Sequence, residues 1–173
     1  MIEDMRPRSG AYSYLRDGLA KFIGTLPTQA LLVEVGSWKG EAACMFAARA
    51  RQVVCVDSWR HGLAKECPYG WDDVIAEFMR NTQCLDNVAY WRRDSVDAAS
   101  WFPLDSIDVV YIDASHIYKN VKQDIHAWFP KVKRGGIIAG HDYDIDGVKE
   151  AVIEAFGRPD MQFVDNTWAV RKA

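Results

Sequence analysis

The sequence lacks an excess of charge of either sign. Across 173 residues, 21 Lys and Arg stand against 24 Asp and Glu, a formal net charge of -3. That excludes the general basic field with which proteins gather nucleic acid. Long apolar runs are also missing, and none approaches the ~20 residues needed to span a bilayer. The first residues, MIEDMRPRSG, contain no apolar stretch of the kind that directs secretion. A cytoplasmic protein with no nucleic-acid or membrane partner is therefore expected. Cysteine is scarce. Cys44, Cys55, Cys67 and Cys84 form no CxxC pair, so neither a disulfide framework nor a cysteine metal site is expected. Cys44 and Cys55 fall in apolar contexts, where Cys serves as a small buried hydrophobe. No internal repeat, low-complexity segment or interdomain linker interrupts the chain. Residues 1–173 are read as one domain, with an N-terminal helix and connector over 1–27 and a core over 28–173.

What is present is an ordinary globular composition, 49% apolar and 26% charged, organised around Leu31–Gly40, LLVEVGSWKG. Its first half reads as a short strand buried on both faces. Gly36 breaks it, Gly40 follows, and Glu41–Arg51 is rich in helix formers. Strand, glycine turn and helix form the unit whose turn binds ligands at the edge of open α/β sheets. Glu34 is out of place in such a strand, because a buried carboxylate needs a partner or a ligand.

The same alternation continues along the chain. Ser9–Gly24 has helical spacing at Tyr14, Leu15, Leu19, Phe22 and Ile23. Gln52–Asp57 is a second buried strand that ends in an acid. Ser58–Gly70 is broken by Gly and Pro and reads as a functional loop. Trp71–Cys84 is an amphipathic helix with Val74, Ile75, Phe78 and Met79 on its packing side. Val88–Arg92 is a third strand, followed by a short helix over Val96–Phe102. Ile107–Asp113 is a fourth strand, again ending in an acid. Tyr118–Val132 is a helix with Val121, Ile125, Trp128 and Phe129 inward. Arg134-Gly135-Gly136 is read as a turn into a fifth strand, Ile137–Gly140, which stops at His141-Asp142. Gly147–Phe156 is a helix, and Gln162–Val164 and Thr167–Val170 form a closing hairpin through Asp165-Asn166. The expected fold is α/β: a doubly wound, mostly parallel seven-stranded sheet with a C-terminal antiparallel hairpin. Acids at strand ends converge on one edge of such a sheet.

With Glu34-x-Gly36-x-x-x-Gly40 and Asp57, the chain resembles a class I S-adenosylmethionine-dependent methyltransferase of Rossmann-like fold, over roughly residues 28–172. The block Ile112-Asp113-x-x-His116-x-Tyr118, then Asp124 and Trp128, then Gly135-Gly136-x-x-x-Gly140-His141-Asp142-Tyr143 and Gly147-Val148, is similar to bacterial small-molecule and sugar O-methyltransferases of the macrocin type. The resemblance implies S-adenosylmethionine as cofactor. Its expected contacts are Glu34, Gly36, Ser37, Gly40, Asp57, Ser58, Trp59, Asp94, Ser95 and Asp113. Glu34 attracts the ammonium end, Asp57 accepts from the ribose hydroxyls, Asp94 accepts from the adenine amino group and Trp59 stacks on the base. Asp94 reads equally well as a helix N-cap, and Trp59 as loop packing. By position, the resemblance to divalent-metal methyltransferases of the catechol type implies that Asp113, His141 and Asp142 hold Mg²⁺. The family pair at the last two positions is an acid and an amide. Mg²⁺ prefers oxygen ligands, so His141 shifts the expectation toward Mn²⁺. His116 occupies the position of the catalytic base, and His116 and Asp113 are the expected catalytic residues. The alternative for His116 is a turn residue before the following helix.

The implied reaction is O-methylation of a small-molecule hydroxyl. The acceptor pocket is expected from Met1–Leu26, Ser58–Gly70 and Tyr143–Gly147. Their aromatics (Tyr12, Tyr14, Trp59, Tyr69, Tyr143) suit a sugar, a phenol or another planar ring. A homodimer is compatible with the sequence. Two rivals share the fold. An NAD-dependent oxidoreductase would need G-x-G-x-x-G, which Gly36-Ser-Trp-Lys-Gly40 does not provide. A non-catalytic nucleotide-binding module would have no use for Asp113, His116 and Asp142.

Overall fold

A computed structural model describes residues 13–60 and 70–173, with side chains from residue 17 onward in the first stretch. The elements in chain order are α1 (Ser13–Thr25), β1 (Leu31–Val35), α2 (Glu41–Ala47), β2 (Gln52–Asp57), α3 (Trp71–Thr82), β3 (Val88–Arg92), α4 (Ser95–Ala99), β4 (Ile107–Ile112), α5 (Tyr118–Trp128), β5 (Val132–Gly140), α6 (Asp146–Phe156), β6 (Met161–Gln162) and β7 (Trp168–Arg171). They build a seven-stranded sheet in the order β3-β2-β1-β4-β5-β7-β6. Strands β1 to β5 run parallel, and β7 pairs antiparallel with both β5 and β6. This is the expected doubly wound sheet with its closing hairpin. The chain steps outward from β1 through β2 to β3, then returns to the other side of β1 with β4. The crevice between β1 and β4 is the switch point at which such sheets bind ligands.

The inner strands β1, β2 and β4 are buried on both sides because helices cover both faces. One core contains Phe22, Ile23, Ala43, Phe46, Val74, Ile75 and Phe78 from α1, α2 and α3, packed on Leu32, Val53, Cys55, Val109 and Tyr111. The other contains Ala98, Val121, Ile125, Trp128, Val148, Ala151 and Val152 from α4, α5 and α6, packed on Val33, Val35, Val110 and Ile138. Successive residues of β1 alternate between the two cores, as the pleat requires.

Three local expectations need correction. Gly135 and Gly136 lie inside β5 and do not form a turn before it. Gly135 N–H donates to Lys172 O, and Lys172 N–H donates to Gly136 O. A Cβ on Gly136 would lie 2.8 Å from Asp108 O, so glycine here lets adjacent backbone close in. Met79 does not join the packing side of α3; it is exposed, while Thr82 is buried. The hairpin loop is longer than Asp165-Asn166. Asp165 is fully buried and accepts hydrogen bonds from Thr167 N and Thr167 Oγ1. No described helix is long and apolar enough to cross a membrane, and Cys44, Cys55 and Cys84 are free thiols. Cys67, His61, Tyr12, Tyr69, the Tyr14 side chain and most of the Ser58–Gly70 loop lie outside the described residues.

Candidate active site

The turn after β1 is shaped by its own chain. Gly36 has φ +88°, and a Cβ there would lie 2.1 Å from Asp113 O and 2.6 Å from Ala114 Cα. The expected reason for Gly36, close approach of backbone to a cofactor, is therefore joined by a nearer one: the loops after β1 and β4 touch. Gly40, at φ +82°, sits against the Phe78 ring. Ser37, between them, is buried, and its Oγ makes no hydrogen bond.

Glu34 lies below this turn, only 1% exposed. Its Oε2 accepts from Cys55 Sγ at 3.4 Å. Burial pushes its carboxyl up to about 8, partly offset by the neighbouring Ser37 and Cys55 side chains. With no cation beside it, burial thus favours the protonated acid near neutral pH. Its effect on stability depends on pH with a definite sign. The folded pKa lies above the unfolded value of 4.5. This contribution is thus complete below about pH 4.5 and is lost as the pH rises through about 8. Glu34→Gln should remove the loss. At pH 9 it should be more stable than the wild type by roughly 3–5 kcal/mol, since each pH unit between the folded and unfolded pKa values is worth about 1.36 kcal/mol. The advantage should vanish by about pH 5. Urea melts at the two pH values check this; a pH-independent difference would contradict it.

Asp57 ends β2 with each carboxylate oxygen already engaged. Oδ2 accepts from Trp38 N at 3.0 Å and Oδ1 from Trp59 N at 2.8 Å. Burial raises its pKa, and the backbone N–H groups around it pull the other way. Of the two readings of Trp59, the structure shows the packing one. It is fully buried, its Nε1 donates to Trp38 O, and its ring packs on Phe78 and Tyr90. It has no free face for stacking on a base; the aromatic core won the ring. Asp94 caps α4, with Oδ1 accepting from Val96 N and Asp97 N. Ser95 Oγ accepts from Trp128 Nε1 at 2.9 Å and lies by the buried Asp124. Ser95 thus ties α4 to α5.

On the far side of the switch point the strand-end acids meet two imidazoles. Asp113 follows β4, and His141-Asp142 follows β5. Asp142 adopts φ 58°, a left-handed conformation that Asp tolerates better than most residues. Its Oδ2 lies 2.8 Å from His116 Nε2 and its Oδ1 2.9 Å from His141 Nδ1. Gly147 helps to place His116: a Cβ at Gly147 would lie 2.4 Å from His116 O, so only glycine lets α6 begin there. Ligand atoms of Asp113, His141 and Asp142 all lie within 4.8 Å of one another, so these three could share one metal ion.

Electrostatics couples the group. Burial pushes Asp113 up to about 6, with His141 pulling down and Asp142 pushing up. Burial works against the His141 charge, but the Asp142 hydrogen bond and the Asp113 charge outweigh it and lift His141 to about 9. The hydrogen bond to Asp142 raises His116 above its ordinary value. Asp142 itself is held well below the carboxylate range: burial opposes its charge, but both imidazoles stabilise it. A cavity of about 10 Å³ opens among Asp113, His116, His141, Asp142 and Trp168. Trp168 was not legible as a site residue. It is buried, and its Nε1 makes no hydrogen bond. Nothing in the Thr167–Val170 strand pattern marks a tryptophan as lining a site.

The structure thus places Glu34, Gly36, Ser37, Gly40, Asp57, Asp94 and Ser95 along the ends of β1 to β3. It gathers Asp113, His116, His141 and Asp142 at the ends of β4 and β5. A family model described as a methyltransferase domain matches residues 33–143, from inside β1 to just past Asp142. The chain belongs to this methyltransferase-domain family. Its relatives are distant. The y4gI protein of Sinorhizobium fredii, itself uncharacterised, is 24% identical over 120 residues, which is 66% of this chain and 13% of that protein. The chain therefore spans only a small part of the curated relative it matches. Among solved structures, the O-methyltransferase NovP superposes with a TM-score of 0.65 at 19% identity, over 92% of this chain and 78% of that one. CalS11, a TDP-rhamnose 3′-O-methyltransferase, gives 0.62 at 18% identity, over 90% and 76%. Both likenesses carry the fold. A dinucleotide-binding oxidoreductase is not what the family match selects.

Proposed function

We propose that this protein is an S-adenosylmethionine-dependent methyltransferase that transfers the methyl group to a hydroxyl of a small molecule, such as a sugar, a phenol or a natural product. The observation that carries the hydroxyl assignment is the His116–Asp142 pair, at 2.8 Å, on the sheet edge beside Asp113. A hydroxyl is a poor nucleophile near neutral pH and needs its proton removed as the new bond forms. NovP and CalS11, which share the fold, are both O-methyltransferases by name.

Bound S-adenosylmethionine supplies an electrophilic methyl group on a sulfonium. The residues along β1 to β3 fit such a molecule. The Asp57 carboxylate at the end of β2 suits a ribose diol, and the buried Ser37 sits in the glycine turn. Asp94 Oδ1 is used by its helix cap, which leaves Oδ2 as the acceptor for an adenine amino group. Ser58 and Asp113 complete the surround. Asp142 holds the His116 ring through Nε2, so Nδ1 is the atom that takes the acceptor's proton. The negative charge of Asp142 stabilises the imidazolium that results. Asp113 and the protonated His141 keep the local charge nearly balanced.

The convergence of Asp113, His141 and Asp142 favours a second reading in which a divalent ion is held there. The donor set, two carboxylates and one imidazole, fits Mn²⁺ better than Mg²⁺. Held by Asp113, His141 and Asp142, such an ion would supply Lewis acidity that favours loss of a hydroxyl proton. Offering methyl-labelled S-adenosylmethionine with sets of hydroxyl, amine and carbon acceptors tests the reaction class. A labelled methyl ether is expected. Label found only on nitrogen or carbon would overturn the assignment.

A further inference from the structure

Strand β3 ends the sheet, and no described strand pairs with its outer side. Asn87 O accepts from Val53 N, and Arg93 N donates to Asp57 O. These odd-numbered residues turn their backbone groups toward β2. By the period of two, Val88, Tyr90 and Arg92 turn theirs outward. Val88 N–H is satisfied by Leu85 O. The Val88 carbonyl and both backbone groups of Tyr90 and Arg92 have no partner among the described residues. Such an edge is a template for a further strand. Its flanks are apolar. Tyr90 packs on Trp59 and Phe78 yet stays 43% exposed. On the same face of the sheet, Asp72 of α3 lies 3.7 Å from Arg92. Met79, two helical turns further along that side of α3, is 41% exposed. On the opposite face Trp101, 63% exposed, lies under the Arg93 guanidinium.

We propose that the partner of this edge is a second copy of the same strand, paired antiparallel across a two-fold axis at Tyr90. The strand is complementary to itself in that arrangement. Tyr90 exchanges both backbone hydrogen bonds with its own copy, and the Val88 carbonyl accepts from Arg92 N–H of the second copy. Charge agrees with this register. Exposed Asp86 precedes the strand and Arg92 ends it, so reversal brings Asp86 of each copy beside Arg92 of the other. Within one chain Arg92 has only a loose carboxylate partner, because Asp72 is 95% exposed. The two tyrosines meet on the axis, with Met79 and Trp101 flanking the joint on opposite faces. The two sheets become one, and their ligand-binding edges face opposite ways. The pairing is therefore independent of the proposed reaction.

Sedimentation of the whole chain, with amide exchange followed by NMR, tests this. The wild type should be a dimer that dissociates on dilution. The Tyr90 and Arg92 amides should be protected in the dimer and exchange freely in the monomer. Tyr90→Lys sets two ammonium groups face to face on the axis and should weaken the dimer at least ~100-fold, as juxtaposed like charges do. Asp86→Arg and Arg92→Asp alter exposed side chains and leave the core intact. Each should weaken the dimer ~10-fold, and the two together should restore it. Should Tyr90→Lys fail to fold by circular dichroism, the charge pair decides. A wild type that stays monomeric at its highest soluble concentration would overturn the proposal. So would a dimer whose Tyr90 and Arg92 amides exchange freely, or one that the charge substitutions leave unchanged.

Discussion

Gly36→Ala should leave little folded protein. The added Cβ would lie 2.1 Å from Asp113 O and 2.6 Å from Ala114 Cα. These are backbone atoms, held in place because Asp113 N–H donates to Val35 O and Gly36 N–H to Val56 O. Neither loop can give way without breaking the ends of β1, β2 and β4. The φ of +88° adds its own cost for any residue with a Cβ. Together these place the loss at about 4 kcal/mol or more, the range of the most damaging single substitutions, against a total stability of about 5–15 kcal/mol for a typical domain. Gly135 supplies the control. It has a similar φ, +75°, but nothing lies within 4 Å of where its Cβ would be. Gly135→Ala should therefore cost only ~1–2 kcal/mol. Urea denaturation followed by circular dichroism compares the two. If Gly36→Ala proved as stable as Gly135→Ala and lost only ligand binding, the close contact between the two loops would be refuted.

His116→Ala should lower turnover by ~10²- to 10⁴-fold, the usual contribution of a positioned base, while S-adenosylhomocysteine binding and folding stay near those of the wild type. The His116–Asp142 pair is partly exposed, and exposed pairs contribute little to stability. The direction of the pH dependence follows from the same pair. The base must be neutral to accept a proton, and the hydrogen bond to Asp142 raises its pKa above 6.5. Activity should therefore climb with pH through a midpoint above 6.5, and Asp142→Asn should move that midpoint down because the stabilising charge is gone. A chelator separates the two chemical readings. If His116 acts alone, chelation changes nothing; if Asp113, His141 and Asp142 hold an ion, chelation stops turnover and leaves cofactor binding intact. Wild-type turnover by both His116→Ala and Asp142→Ala would remove this edge from the chemistry.

Much of the fold was legible because a parallel sheet writes itself plainly. The strands Gln52–Asp57 and Val88–Arg92 begin and end where the apolar pattern puts them, since each is bounded by a polar or turn residue. The convergence of Asp113, His141 and Asp142 followed from strand order alone: parallel neighbours bring their carboxyl ends together. Details decided by contacts between distant segments were not legible. The clash that demands Gly36 involves Asp113 and Ala114, in the loop after β4. Gly135 and Gly136 resemble a turn locally, yet hydrogen bonds with Lys172 draw them into a strand. Trp38 and Trp59 are chemically identical in sequence. Only the aromatic cluster around Phe78 and Tyr90 decides that Trp59 is core and that Trp38 faces outward. Ser95 looked free to meet a ligand, but its hydroxyl is taken by Trp128, 33 residues on.

The edge formed by Gly36–Gly40, Asp57 and Asp94 is, on this reading, where S-adenosylmethionine binds, and every later step depends on it. Titration calorimetry with its demethylated product, S-adenosylhomocysteine, tests this without knowledge of the acceptor. The predicted result is one site per chain with a dissociation constant in the micromolar range, about -8 kcal/mol, and no binding of NAD under the same conditions. Saturable binding of NAD with no heat from S-adenosylhomocysteine would contradict it.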